Sequence, residues 1–288
     1  MFLKRLCLLP LLCLSCLVQA DDWVYLDNGI VRLGVRTNSG ACIGFFGESR
    51  SGRNLLNHWD EGRFVQQSWY GNRDGSLWNK KPWKWNPVQG GSWKGAKSRL
   101  LQFHATDTNL FARVIPRHWA AGTLLTNVIM ESSIKLDQAV AEIAFRMEYS
   151  GQTRHDHTQQ EFPAVFVDAA LKRLVYYRGD RPWSNGPVHK RIPGWPNQSD
   201  QPTEPWAAYV NDNNWGIGLM SPGSTHMTFY RFGGPSGSGG SGCSYFAPIQ
   251  WHAITPGFDL TYRVYLTIGT VEEIRERFRT RRNLPLPE

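Results

Sequence analysis

The sequence is poor in the signatures of several common chemistries. Its one Cys-x-x-Cys pair, Cys13 with Cys16, falls within the first twenty residues, and beyond them only Cys42 and Cys243 remain, which argues against a cysteine-based zinc site. A P-loop is missing, and with it a phosphate cradle; Gly-x-Ser-x-Gly and His-Glu-x-x-His are missing too, removing the serine-elbow and zincin readings. No apolar run beyond residue 20 is long enough to span a membrane, so stable membrane insertion is not expected. Internal repeats are absent. Nothing calls for a cofactor, and none is assigned.

The first twenty residues read as a secretory signal. Lys4 and Arg5 form a basic start, Leu6 to Val18 an apolar stretch, and Val18-Gln19-Ala20 a small-x-small cleavage site before Asp21. Leu14-Ser15-Cys16 resembles a lipidation site, but Cys13 stands where such a site carries Leu, so cleavage after Ala20 is expected. The protein is therefore read as secreted or periplasmic, with residues 21–288 as one domain. Cleavage would leave Cys42 and Cys243, whose pairing the sequence leaves open. The formal charge of +8 is compatible with an acidic polysaccharide. Basic and acidic residues alternate over most of the chain, so no nucleic-acid partner is expected.

What the sequence has in quantity is tryptophan: 13, six of them within residues 57–95. There Trp59, Trp69, Trp78, Trp83, Trp85 and Trp93 are interleaved with Asp60, Glu61, Arg63, Gln66, Gln67, Tyr70 and Gln89. Flat aromatic faces bury large areas at little rotamer cost, and amides, carboxylates and arginine match vicinal hydroxyls. Gly71, Gly75, Gly90 and Gly91 mark the segment as mostly loop, too long for a passive connection. It reads as a sugar-binding cleft in which Trp83 and Trp85 stack on rings while Arg63, Gln66, Gln67 and Gln89 bind hydroxyls or a carboxylate. The competing reading is that these tryptophans cap a β-core. The Pro-rich segment 179–206, with Trp183, Trp195 and Trp206, is expected to form a second wall.

The remainder reads as β-structure. The 28 Gly and 17 Pro, spread along the chain, fit many turns between short strands. Asp27-Asn28-Gly29 between apolar runs is a hairpin signal. Strands are expected over 99–105, 110–116, 124–136 and 140–149, and again over 207–210, 215–220, 225–232, 245–254 and 258–268. In 140–149 strict alternation leaves one face wet, the mark of an antiparallel sheet. Residues 233–242 (GGPSGSGGSG) read as a flexible loop. Thr270 and Glu273 make a capping box for a C-terminal helix over 270–282.

A second chemical cluster lies in 153–168. If extended, it puts His155, His157, Gln159 and Glu161 on one face, supplying a general acid and base; the alternative is a solvated edge strand. His155-x-His157 with Glu161 has donors for a metal, but that spacing alone is a weak signal and no metal is assigned.

Taken together, LDNGIVRLGVRTNSGACIGFF, NLLNHWDEGRFVQQSWYG, PWKWNPVQGG, QQEFPAVFV, WAAYVNDNNWGIGLMSP and YRVYLTIGTVEEIRERF resemble the galactose-mutarotase-like, or supersandwich, group of carbohydrate-active proteins. The resemblance implies an all-β fold, a large antiparallel sandwich with a concave sugar-binding face. By analogy with mutarotases, Glu161 would be the base and His157 the acid. By analogy with lyases, Tyr70 would be the base, with Arg63, Gln66 and Gln67 neutralising a uronate. A hydrolase would pair Glu61 or Asp60 with Glu161. The expectation is a secreted hydrolase or lyase acting on a poly- or oligosaccharide. The alternative is a carbohydrate-binding protein of the envelope without turnover.

Overall fold

A computed structural model describes residues 22–283. The expected secretory signal, residues 1–20, lies outside the described residues. Two large antiparallel sheets face each other. One has ten strands and runs Trp23–Asp27, Val31–Arg36, Cys42–Glu48, Val65–Ser68, His155–Asp168, Cys243–Ile254, His226–Phe232, Gln198–Asp200, with Pro87–Val88 and Arg117–His118 attached beside Val65–Ser68. The other has nine: His189–Arg191, Arg173–Tyr176, Trp206–Val210, Trp215–Met220, Phe258–Thr270, Val140–Tyr149, Val128–Asp137, Asn109–Ile115 and Arg99–Ala105. This is the all-β antiparallel sandwich with a short C-terminal helix.

Alternation explains both layers. In Val128–Asp137 every second side chain, from Val128 to Leu136, is buried, and the same holds across its partner Val140–Tyr149. The inward rows of both sheets meet in one core that includes Leu33, Val65, Val165 and Phe246 from one layer and Ile134, Ile143, Leu219 and Leu266 from the other. Over its Asn109–Ile115, Val128–Asp137 and Val140–Tyr149 strands the nine-stranded sheet turns its other face to water and covers it with Arg113, Glu131, Arg146, Glu148 and Asp259 in a chain of ion pairs. The helix Val271–Arg281 starts at Thr270 with both capping-box bonds formed.

Two details depart from expectation. Residues 73–84 form a hairpin, Arg73–Trp78 against Lys81–Lys84, with Asn79 and Lys80 both at positive φ in the turn. The 233–242 segment is clamped, because buried Asn57 donates through Nδ2 to the carbonyls of Gly240 (2.9 Å) and Gly242 (3.1 Å). Gly237 N donates to Asp168 in turn. No helix among the described residues is long and apolar enough to cross a membrane.

Candidate functional site

The face of the ten-stranded sheet that points away from the shared core carries its own aromatic row. Because neighbours alternate, Val165, Val167, Phe229 and Phe246 point inward while Phe166, Tyr230 and Tyr245 point outward. Tyr230 and Tyr245 stack at 4.5 Å and Phe166 lies 4.7 Å from Tyr245. This row, with Ser68 and Glu161, floors a cavity of about 390 Å³. Trp78 and Trp83 from the hairpin and Trp119 wall one side; Trp195, Asn197 and Phe232 wall the other. A larger groove of about 590 Å³ crosses the nine-stranded sheet, but its Arg263 and Glu142 are paired to each other at 2.9 Å.

Glu161 is the electrostatic centre of the cavity. Tyr245 donates its hydroxyl to Glu161 Oε1, and Tyr70 and Ser68 also hydrogen-bond the carboxyl group. Burial raises its pKa above the usual carboxylate value; the hydrogen bonds from Tyr245 and Tyr70 and the charge of Lys84 offset only part of that rise. Burial, helped by the neighbouring Glu161 charge, pushes the Tyr70 and Tyr245 hydroxyls well up. Lys84 Nζ sits 4.0 Å above the Tyr70 ring, and burial lowers its pKa. Asp60 also lines the cavity; its Oδ2 lies 3.8 Å from Arg63 Nε and its Oδ1 accepts from Gly62 N.

Of the residues singled out from sequence, Glu161, Tyr70, Arg63 and Trp83 come together here. Arg63 is largely committed to structure, donating to Asn57 Oδ1 and Ser241 O, both at 3.0 Å. Glu61, Gln66, Gln67, Gln89, Trp85, His155 and His157 lie outside the cavity lining. The three glutamines are buried and serve the backbone: Gln66 accepts from Gly90 N (2.6 Å), Gln67 donates to Glu131 O (2.9 Å) and Gln89 donates to Gly40 O (2.9 Å). Glu61 is buried with Oε2 unpartnered. Trp85 is in the core, stacked on His155 at 4.2 Å. His155 is buried while His157 and Gln159 are exposed, because the register shifts between His155 and Thr158 and breaks the expected common face.

Tyr245, Tyr230 and Trp119 complete the cavity without having stood out in the sequence. Within a strand, Tyr230 and Tyr245 read as ordinary β-propensity, and it is the pairing of their strands beside His155–Asp168 that brings them near the carboxyl group; Trp119 stands in the turn after Arg117–His118. Trp195 supplies the expected second wall, whereas Trp206 is buried with its Nε1 bonded to Glu204. Cys42 and Cys243 are both free and buried; Cys243 lies at the cavity. Among the described residues no group of three or more His, Cys, Asp or Glu is placed to hold a metal ion.

No protein-family model matches the chain, and no curated protein matches its sequence. Solved structures do match in fold. A galactose mutarotase related enzyme from Lactobacillus acidophilus is similar at 10% identity and TM-score 0.53, over 85% of this chain and 97% of that one. A galactose mutarotase-like protein from Clostridium acetobutylicum is similar at 7% identity and TM-score 0.51, over 86% and 95%. The galactosidase domain of an alpha-galactosidase–sucrose kinase is similar at 8% identity and TM-score 0.52, over 86% of this chain and 41% of that one. The chain thus has the galactose-mutarotase-like fold. At these identities the likeness concerns architecture, and chemistry has to be argued from the site.

Proposed function

We propose that the protein is an exported enzyme that hydrolyses a glycosidic bond in an oligo- or polysaccharide, with Glu161 moving the proton. The observation that carries this reading is the environment of Glu161: a carboxyl group of raised pKa on the floor of a cavity walled by Trp78, Trp83, Trp119 and Trp195. Tryptophan faces suit the apolar faces of sugar rings, and a raised carboxyl pKa suits a general acid working near neutrality. The names of two similar structures, a galactose mutarotase related enzyme and a galactosidase domain, agree with a sugar ligand.

In the proposed step, protonated Glu161 gives its proton to the glycosidic oxygen as the C1–O bond breaks. Water attacks C1 and passes its proton to Asp60, the other carboxylate in the lining. Water is consumed and one new reducing end appears. Elimination from a uronate would instead need a base to take the C5 proton. Tyr70 and Tyr245 are the available hydroxyls, and burial disfavours the phenolate form of both. Hydrolysis is therefore preferred.

The test is a screen of the purified protein on neutral and uronate polysaccharides, following reducing ends and the ultraviolet absorbance of unsaturated uronates together. Reducing ends without absorbance are expected, and Glu161→Gln should lower turnover by roughly 10²–10⁴-fold while sparing binding. Absorbance growing with the reducing ends would replace hydrolysis by elimination. One observation favours a second reading, a binding protein without turnover: three hydroxyl groups already occupy the Glu161 carboxyl. Tryptophan fluorescence that responds to a polysaccharide which is never cleaved would select it.

A further inference from the structure

The cavity floor runs across strands, not along one. From end to end it crosses Pro87–Val88, Val65–Ser68, His155–Asp168, Cys243–Ile254 and His226–Phe232, which are successive neighbours in the ten-stranded sheet. Four inter-strand spacings of about 4.8 Å separate the outermost of these strands by roughly 19 Å. A single pyranose ring is far shorter.

Aromatic platforms stand at both ends of that span. At the Val88 end, Trp78 meets Trp83 edge-on at 4.7 Å and reaches Trp119 at 6.2 Å. At the Tyr230 end, Trp195 meets Tyr230 at 4.9 Å and Phe232 at 5.6 Å, again edge-on. In an edge-on pair the rim of one ring meets one face of the other, so neither ring is covered on both faces by that contact and face area remains for a ligand. Trp78 is 37% exposed, Trp195 61% and Phe232 44%, an unusual concentration of apolar surface around one opening. Glu161 lies on the middle strand of the five, between the two platforms. At the Tyr230 end the wall itself is aromatic and amide, Trp195, Asn197 and Phe232, while the charges near Tyr230, Asp60 and Arg63, are paired with each other at 3.8 Å.

We propose that the cavity is a cleft open at both ends, binding an interior segment of a linear polysaccharide with sugar positions on Trp78 and Trp195 on either side of Glu161, so that the polymer is cut internally. The inference rests on the reading of the cavity as a glycan-cleaving site and adds the substrate class: a polymer of several rings, in preference to a free sugar or a chain end.

The experiment uses polygalacturonate, alginate, xylan and carboxymethylcellulose, then size-defined oligosaccharides, from trimer to octamer, of whichever polymer is cleaved. Internal cutting lowers viscosity steeply while few reducing ends have formed, and its early products are mixed oligomers. Turnover rises with length beyond the trimer. Trp195→Ala and Trp78→Ala each lower kcat/KM at least tenfold on the octamer and much less on the trimer; both side chains are exposed, so neither change hollows the core. Cleavage that releases monomers or dimers from the outset at unchanged viscosity overturns the open cleft and leaves the glycan-cleaving reading standing. An equal loss at every chain length in both variants overturns it as well. Neither turnover nor fluorescence change on any polymer overturns the underlying reading, and this inference with it.

Discussion

At Glu161 two opposing influences meet. Burial favours the neutral carboxyl group; the hydroxyls of Tyr245 and Tyr70 and the Lys84 ammonium favour the charged one, and burial wins. A folded-state pKa above the ordinary 4.5 means that the folded chain holds this proton more tightly than the unfolded chain does. The resulting stability is fully present below pH 4.5 and is lost as pH rises through the folded value. At neutral pH, where the unfolded chain has given this proton up, the raised pKa is thus a cost to the fold, and Glu161→Gln removes it. Thermal melts should show the variant melting above the wild type at pH 7, with the gap closing below about pH 4. A variant less stable than the wild type at pH 7 would mean that the tyrosine hydrogen bonds outweigh burial. The amide and carboxylate side chains of 57–95 show why site residues were only partly legible. Gln66, Gln67 and Gln89 have the composition of a sugar site, yet each spends its amide on backbone groups of the fold. Nothing in their sequence neighbourhood separates that use from ligand binding.

The hairpin of residues 73–84 depends on a small number of contacts. A two-stranded hairpin is marginal alone. This one leans on Trp119 through Trp78 and is pinned by Asp74, whose Oδ2 accepts from His118 Nε2 at 2.7 Å. His118 Nδ1 accepts from Ala120 N and Ala121 N, which leaves the ring proton on Nε2 for Asp74. Burial alone would raise the Asp74 pKa, but Ser76 and His118 together hold it below the ordinary value. The pin is therefore present above the ordinary carboxylate range and is lost as pH falls through the depressed folded value. Asp74→Ala should cost about 1–2 kcal/mol of local stability, toward the lower end because the carboxylate is partly solvated. Faster amide exchange across 73–84 with little change in global melting is the expected result; unchanged exchange would show that the tryptophans suffice. Other elements were readable in advance because one local signal fixed each of them. Strict alternation gave Val140–Tyr149, Asp27-Asn28-Gly29 gave the first hairpin, and Thr270 with Glu273 gave the helix start. The 73–84 hairpin carries no alternation, and its glycine and proline read as loop. The 233–242 segment reads as flexible, but its clamp, Asn57, comes from about 180 residues earlier in the chain.

Across the whole molecule, the shared core sits between the sheets and leaves the Trp206–Val210 and Trp215–Met220 strands to be covered from outside. The C-terminal helix does this with Ile274 and Phe278, which join Trp206 and Met220 in a second apolar cluster. One buried ion pair crosses that interface. Glu204, fully buried, accepts from Arg275 Nε at 2.9 Å and Nη2 at 2.5 Å, and from Trp206 Nε1 at 2.7 Å. Two charges out of water gain little as a pair, but removing one strands the other. Arg275→Met should therefore destabilise the fold by about 3–5 kcal/mol, read as a lower urea midpoint at unchanged slope. Adding Glu204→Gln should recover part of the loss, since the amide carries no charge and can still accept from Trp206. Because the pair lies outside the cavity lining, the folded fraction of Arg275→Met should bind and turn over whatever glycan the wild type accepts under the proposed function with unaltered KM. A double variant no more stable than Arg275→Met would locate the loss in the packing of the arginine over the Tyr177 ring, 4.5 Å away, and not in the stranded carboxylate.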